Sequence, residues 1–413
     1  MVIRELDLEG KLAGTGAAIN VMGGECAAQL AIDNIGIMGI SGMSIDEAEI
    51  EREKARLILL KNGSRKGKGY FFENVMGVAD NFEDHIKEIE ASDISDGVVC
   101  AALPHPALLK KLNPRNRTFD KIALLKLGKL SVDKPKRTTI DFVHTYFDGA
   151  ILEGSDCGGH IMKDLNDFRS TQALYKTFRE VEKQKGYESL PLILCNVNDT
   201  NIEDIIKLRK RFKDDKIALA KGNLFYVSKE AMPSNAWKKR QIFNDHFVSE
   251  KRIKDCEKYG MKIHEPILVI SPVGHYYGRI AYNEFVDMFF NYDPNLQAYK
   301  VDQDKYYDLI GGVGISCDTI NCMAKVCKRD ICINYALKNA SSGNEYPLKD
   351  SLEKLYIWDF KSMDSLNILN YIKDMMHVTM NEEIDHKRLE EITAKEIIDY
   401  TKGKPFKRFY DGF

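Results

Sequence analysis

The sequence predicts an α/β chain folded as a (β/α)8 TIM barrel, followed by a mainly helical C-terminal extension. Three observations predict it. Strand-sized apolar runs alternate with helical patterns eight times within roughly 250 residues. Those runs are mostly continuously apolar rather than alternating, as parallel strands buried on both faces require. The chain has 413 residues, too many for one small core and suited to a large barrel with an appended piece. Eight such units favour a closed barrel over an open doubly wound sheet, the structural rival.

The first unit pairs the run Leu12–Ile19 with a helical pattern over Gly24–Asp33. Ile35–Ser41 precedes the charged, amphipathic Asp46–Asn62, and Tyr70–Val78 precedes Asn81–Ala91. Gly97–Leu103 leads to Pro106–Leu112, where proline suits a first helical position. Lys121–Leu127 is followed by a stretch without clear pattern as far as Phe147. Gly149–Gly154 then precedes Ser170–Lys185, Leu190–Val197 precedes Ile202–Lys213, and Lys216–Ala220 precedes Ala236–Phe247. The expected division is a barrel core over 10–258, with a return segment and extension over 259–413 packed on it. That second part holds an apolar run at Pro266–Pro272, an aromatic-rich helical pattern around Tyr282–Tyr292 and a cysteine cluster. In a barrel of this kind, chemistry belongs where each strand runs into its following helix.

Charge narrows the partners. Sixty basic and 62 acidic side chains leave a formal net charge of −2. That gives no general basic field for nucleic acid or an anionic membrane. Met1–Leu12 carries acids and no long apolar run, so a signal peptide or a span is not expected there and the expected location is cytoplasmic. Nine cysteines, an odd number, fit reduced thiols better than a disulfide framework. Four of them, Cys317, Cys322, Cys327 and Cys332, are spaced five apart. Residues five apart on a straight helix stand about 140° apart around its axis, so the four would not converge on one metal. Buried thiols are the expectation there, with metal or cluster ligation as the alternative.

The most informative segment follows the sixth strand: Glu153-Gly154-Ser155-Asp156-Cys157-Gly158-Gly159-His160. Paired glycines let backbone N–H groups approach a phosphate or a flat ring, because no Cβ intervenes. A histidine beside them can exchange a proton near neutral pH. The plainer reading is a tight turn carrying a surface histidine. His275 ranks second, while His144, His246 and His264 read as ordinary surface or core histidines.

Residues 153–160 resemble the E-G-x-x-A-G-G-H signature of nitronate monooxygenases and the related FMN-dependent enoyl-thioester reductases, with Cys157 in place of alanine. Further segments resemble that family in the same order along roughly Gly10 to Asn344. They are Asn34–Ser41, Glu73-Asn74-Val75-Met76, Phe225–Ala231, Ser271-Pro272-Val273-Gly274 with Gly278, Arg279 and Asn283, and Cys322–Leu337. The resemblance implies FMN at the barrel mouth and His160 as the catalytic acid or base. It implies cofactor contacts from Gly14, Gly16, Asn74, Gly158, Gly159, Asn196, Gly222 and Asn223.

Some loops depart from the family pattern. Where the family carries A-G-G-I after the seventh strand, this chain has Cys195-Asn196-Val197-Asn198. The side chains of Asn196 and Val197 are expected to disturb a phosphate nest built from bare backbone. Lys221, Lys126 or Lys129 is the expected source of compensating charge, and the first loop keeps Gly14 and Gly16 but lacks the family's methionine. The activity implied is that of an FMN-dependent oxidoreductase acting on a small carbon acid such as an alkyl nitronate. Enoyl-thioester reduction is the alternative chemistry, with an acyl carrier or pathway enzyme as partner. A flavin-free barrel serving as scaffold or accessory protein is the alternative of another class. No G-x-G-x-x-G fingerprint follows a strand, so no resident dinucleotide is expected.

Overall fold

The computed structural model describes residues 6–8, 11–15, 23–40, 43–61, 69–77, 81–101, 104–131, 138–157, 159–161, 169–197, 201–220, 228–230, 248–270, 277–280, 282, 284–302 and 391–403. Continuously apolar segments make eight parallel strands that close into a barrel. They are β1 (Leu12–Thr15), β2 (Ile35–Gly39), β3 (Tyr70–Met76), β4 (Gly97–Ala101), β5 (Ile122–Leu127), β6 (Gly149–Leu152), β8 (Leu192–Leu194) and β9 (Ile217–Ala220). Closure comes from β9 pairing back onto β1, with Ala13 beside Ala220. Helices α1 (Gly24–Ala31), α2 (Ile45–Lys61), α3 (Phe82–Ala91), α4 (Pro106–Lys111), α6 (Thr171–Lys185) and α7 (Ile202–Phe212) follow their strands as the periodicity predicts. The expected helix over Ala236–Phe247 lies outside the described residues.

Where the sequence shows no clear pattern, before Phe147, the chain forms α5 (Thr139–Tyr146). Its start is a reciprocal cap. The Thr138 hydroxyl accepts from the Asp141 N–H at 3.1 Å, and the Asp141 carboxylate accepts from the Thr138 N–H at 2.7 Å. Two backbone donors are thereby satisfied at the end of a short helix, where they would otherwise be unpaired.

Alternation along each strand separates two apolar layers. Ala13, Ile35, Ile37, Phe72, Val99, Ile122, Leu124, Ile151, Ile193, Ala218 and Ala220 pack in one cluster. Their strand neighbours, among them Met38, Phe71, Val98, Ala123, Leu152, Leu194 and Leu219, pack in the other, together with the helices. The first set lines the barrel interior, as a period of two on closed parallel strands dictates.

Charged groups pin the helices to the outer face. Arg52 of α2 donates from Nε to both oxygens of Glu73 on β3, at 3.2 and 3.0 Å, with both side chains buried. Near the start of β8, Arg179 donates to Asp214 at 2.5 Å, to Glu182 at 2.7 Å and to the Leu190 carbonyl at 2.8 Å. Burial alone would pull this guanidinium down, but Asp214 and Glu182 outweigh it and hold it above its ordinary value.

His85 on α3 is buried, with Nε2 3.1 Å from the Met43 carbonyl oxygen and 3.0 Å from Asn81 Nδ2. Nδ1 has no hydrogen-bond partner, so the doubly protonated ring would bury a cationic N–H without an acceptor. Burial is the main cause that lowers this imidazole from 6.5 to about 4. Above about pH 6.5 both folded and unfolded chains are neutral here, and the contribution is constant. As pH falls toward about 4, the unfolded chain takes up a proton that the folded one refuses, and stability is lost. Across that window the loss attributable to His85 amounts to about 3 kcal/mol. Urea unfolding at about pH 7 and about pH 4.5 should show the loss in the parent and a flatter profile in His85→Gln. Equal acid-side slopes in the two proteins would contradict it.

A second sheet has the order β12–β13–β10–β11–β7. Its strands are β7 (Gly159–Ile161), β10 (Ile267–Ile270), β11 (Tyr277–Ile280), β12 (Phe290–Asp293) and β13 (Ala298–Val301). Helices α8 (Glu250–Tyr259), α9 (Glu284–Phe289) and α10 (Ala394–Gly403) are the described helices of the chain beyond the barrel, and α10 packs on α1. The helical pattern expected around Tyr282–Tyr292 is divided. It runs as α9 to Phe289 and then turns into β12, where Phe290 is buried and pairs with Val301. The larger correction concerns Gly159 and His160. They do not lie in a plain strand-to-helix loop but form β7, antiparallel to β11, with His160 opposite Gly278 and Gly159 opposite Arg279. Pairing with a distant strand has overridden the local glycine signal.

Candidate active site

The C-terminal ends of the barrel strands converge on a mouth whose lining follows from strand parity. Beneath it the interior is filled by Ile37, Phe72, Val99, Leu124, Ile151 and Ile193. One step further toward the mouth the same faces carry Gly39, Asn74, Ala101, Lys126, Glu153, Cys195 and Ala220. The rim is thus small and polar above a bulky apolar floor. Gly39 lies beside Asn74 in register, and the Asn74 side chain is 1% exposed.

Lys126 and Glu153 form an ion pair at 2.8 Å, the lysine buried and the carboxylate half-buried. Burial pulls the Lys126 ammonium down. Glu153, Cys195 and Cys157 more than offset that, so it stays above its ordinary value and charged. Of the lysines expected to supply charge, Lys126 therefore faces the mouth with a carboxylate already beside it, while Lys129 is exposed. Lys221 lies outside the described residues. A lysine within the apolar run of β5 was the sequence signal for this site. Its pairing with Glu153 was not legible, because it depends on β5 and β6 lying side by side.

Gly154 has a packing role. A Cβ there would lie 2.1 Å from the Thr171 backbone nitrogen and 2.4 Å from the Ser170 carbonyl carbon. The turn after β6 therefore seats directly on the start of α6, and the Gly154 N–H donates to Thr171 Oγ1 at 2.9 Å. Arg279 of β11 reaches the same turn, donating to the Ser155 carbonyl at 2.6 Å. Burial lowers the guanidinium below its ordinary value, against the opposing influence of Asp156 and Cys157. Through this bond and the β7–β11 ladder the return segment fixes the backbone at Ser155 and over 159–161.

After β8 the chain turns through Asn196 in the left-handed region, φ 52°. Asparagine tolerates that region better than most residues with a Cβ, and the Asn196 carbonyl accepts from Asn201 Nδ2 at 2.9 Å. Val197 is fully buried in the helix-facing layer. The sequence led to the expectation that both side chains disturb this loop. Instead Asn196 holds a backbone form usually left to glycine, and Val197 turns away into the core.

Among the sequence-predicted site residues, Gly14 ends up on β1, Asn74 on β3, Gly159 and His160 on β7 and Asn196 after β8. Gly16, Gly158, Gly222, Asn223 and His275 lie outside the described residues, as do Cys317, Cys322, Cys327 and Cys332. Among the described residues no group of three or more His, Cys, Asp or Glu side chains is placed to hold a metal ion. No described helix is long and apolar enough to cross a membrane.

No family model matches the chain, and no curated protein matches it in sequence. Solved structures do. A nitroalkane oxidase from Streptomyces ansochromogenes superposes with a TM-score of 0.51 at 12% identity, over 96% of this chain and 99% of that one. The enoyl reductase domain of MlnA, from the macrolactin biosynthesis cluster of Bacillus amyloliquefaciens, gives a TM-score of 0.51 at 11% identity, over 97% and 96%. At these identities the likeness is one of fold, and it runs over nearly the whole length of each chain.

Proposed function

We propose that the chain is an FMN-dependent oxidoreductase of the nitronate monooxygenase type, acting on a small carbon acid such as a nitroalkane or on its conjugate base, an alkyl nitronate. The observation that carries this reading is the Glu153–His160 segment, leaving the sixth barrel strand on a fold shared with a nitroalkane oxidase and an enoyl reductase. The donor set suits a flat ring with a phosphate tail. Gly39, Ala101 and Ala220 place small residues above the apolar floor, and Asn74 offers a buried amide. Gly14, Gly159 and the left-handed Asn196 offer backbone close to the mouth, and we assign Gly16, Gly158, Gly222 and Asn223 to the same group. When bound, the flavin would supply two-electron redox chemistry that no side chain can.

The chain's own part is binding and proton handling. On a neutral nitroalkane His160 takes the proton from the carbon beside the nitro group, an exchange suited to an imidazole near neutral pH, whereas an alkyl nitronate arrives with that proton already gone. The neutral Lys126–Glu153 pair keeps polar groups at the mouth without adding net charge. Enoyl-thioester reduction would use the same histidine as donor, and the likeness to the enoyl reductase domain supports keeping it as a second reading.

Denaturing the purified protein and chromatographing what is released tests the cofactor. FMN is expected, and a yellow preparation absorbing near 450 nm should precede it. Release of FAD, or no flavin after incubation with excess FMN, would count against the proposal.

A further inference from the structure

One residue of the return segment grips the turn after β6 at two points. Arg279 lies on β11, where its backbone stands opposite Gly159 of β7. Its side chain reaches Ser155, donating from Nη2 to the carbonyl at 2.6 Å across 124 residues of chain. Both ends of the stretch 155–159 are therefore held by a single residue. That stretch carries the Gly158–Gly159 pair and delivers the chain to His160.

The grip is itself anchored. Strand β11 lies between β7 and β10, and Leu268 of β10 is the other neighbour of Arg279. Tyr277, two residues away on the same face of β11, is 5% exposed and packs in the barrel-interior cluster. Arg279 thus stands on the face of the second sheet that meets the barrel. The start of the turn has partners on the helix side as well. The Ser155 N–H donates to the Arg169 carbonyl at 3.0 Å, and the Asp156 carboxylate accepts from the Thr171 N–H at 3.0 Å.

As a stabilising device this arginine is poor. Its Nε is buried without an acceptor among the described residues, and burial holds the guanidinium below its ordinary value. Desolvating a cation and leaving one donor unfilled is only partly offset by one bond to a carbonyl. An apolar side chain of the same length would fill the space at less cost. Fold stability therefore does not account for an arginine at this position.

We infer that Arg279 is a positioning residue, which closes Ser155–Gly159 into a loop of fixed shape and so sets where the glycine pair and His160 stand. Its consequence for chemistry rests on the function proposed above, whereas its hold on the loop rests on the two contacts of Arg279 alone. A bond from a charged donor is directional, so it fixes the Ser155 peptide plane as well as its distance. A reacting group misplaced by about 1 Å can lose about 10²-fold in rate.

The test compares three whole-chain proteins: the parent, Arg279→Met, which keeps the length and loses the donors, and Arg279→Lys, which keeps the charge and a donor. Amide exchange is read by mass spectrometry on peptides covering 154–161. It should be at least about tenfold faster in the methionine variant, with most of the protection regained in the lysine variant. Peptides from β3, β4 and β5 should exchange as in the parent, and the urea midpoint should be unchanged or higher. FMN, titrated by the quenching of its fluorescence, should bind Arg279→Met about tenfold more weakly, because the loop is no longer preorganised. On a nitroalkane, kcat should fall by about 10–10²-fold while KM changes by less than about threefold. Unchanged exchange over 154–161, or a lysine variant no better protected than the methionine one, would overturn the hold on the loop. A lowered urea midpoint or a failure to fold would make Arg279 a residue of the fold instead. Faster exchange with FMN affinity and kcat both at the parent's values would overturn the positioning role. A parent that binds no FMN would sink the proposed function, and the exchange comparison would still decide the loop.

Discussion

Replacing Arg179 by alanine is expected to lower the stability of the fold by about 3–5 kcal/mol, because it strands two carboxylates in the interior. Arg179 is 2% exposed, and its guanidinium donates to Asp214, to Glu182 and to the Leu190 carbonyl. Some support would survive, since Tyr175 still donates to Asp214 at 2.9 Å and His144 lies 2.9 Å from Glu182. Neither supplies a permanent positive charge. The damage should also reach the mouth, because the bond to Leu190 anchors the chain as it enters β8, and β8 ends against Cys195 and Asn196. Urea unfolding reads the effect directly. Arg179→Lys should recover part of the loss, since it restores the charge but not the planar fork. A loss below about 1 kcal/mol in the alanine variant would mean that the carboxylates find other partners.

The second large effect concerns His160. On the proposed function, His160→Asn keeps a polar side chain of similar reach and removes proton exchange. Flavin content should stay nearly unchanged, while the rate of substrate-dependent flavin reduction or reoxidation falls by about 10²–10⁴-fold. Neutral nitroalkanes and crotonyl thioesters together cover both chemistries, and a preformed alkyl nitronate, already deprotonated, should lose far less rate in the variant. Turnover of a nitroalkane or a crotonyl thioester at the parent's rate would make His160 structural and move the proton-handling role to His275. The substitution leaves the β7 ladder its backbone, so a general collapse of the fold is not the expected cause of a lost rate.

Most barrel elements were legible because their signals are local. A continuous apolar run such as Ile122–Leu127 suits a strand covered on both sides, and the charged face of α2 suits a helix lying on the barrel. Helix α5 was missed although Thr138 and Asp141 stand at capping-box spacing, because the residues around them suggest no amphipathic stripe. Strand β7 could not be seen at all. It has three residues, one of them glycine, and its partner comes from Tyr277–Ile280. The candidate site was legible in the same uneven way. Asn74 and Lys126 could be placed on their strands from the sequence, and parity turns them inward. The turn at Asn196 was not legible, because residue type alone does not show that the chain there uses asparagine's tolerance of positive φ.

The pairing of β7 with β11 also bears on how the molecule is made. Residues 12–220 contain every strand of the closed barrel, so a nascent chain can in principle complete that ring first. Its segment 159–161 must then wait for 277–280 to emerge, a delay on the order of ten seconds at ordinary translation speeds. During that interval the backbone of His160 has no ladder, and the edge that will receive β11 is open to any passing strand. A ribosome stalled before Tyr277 would therefore display a ring of eight strands whose candidate proton carrier is still unanchored.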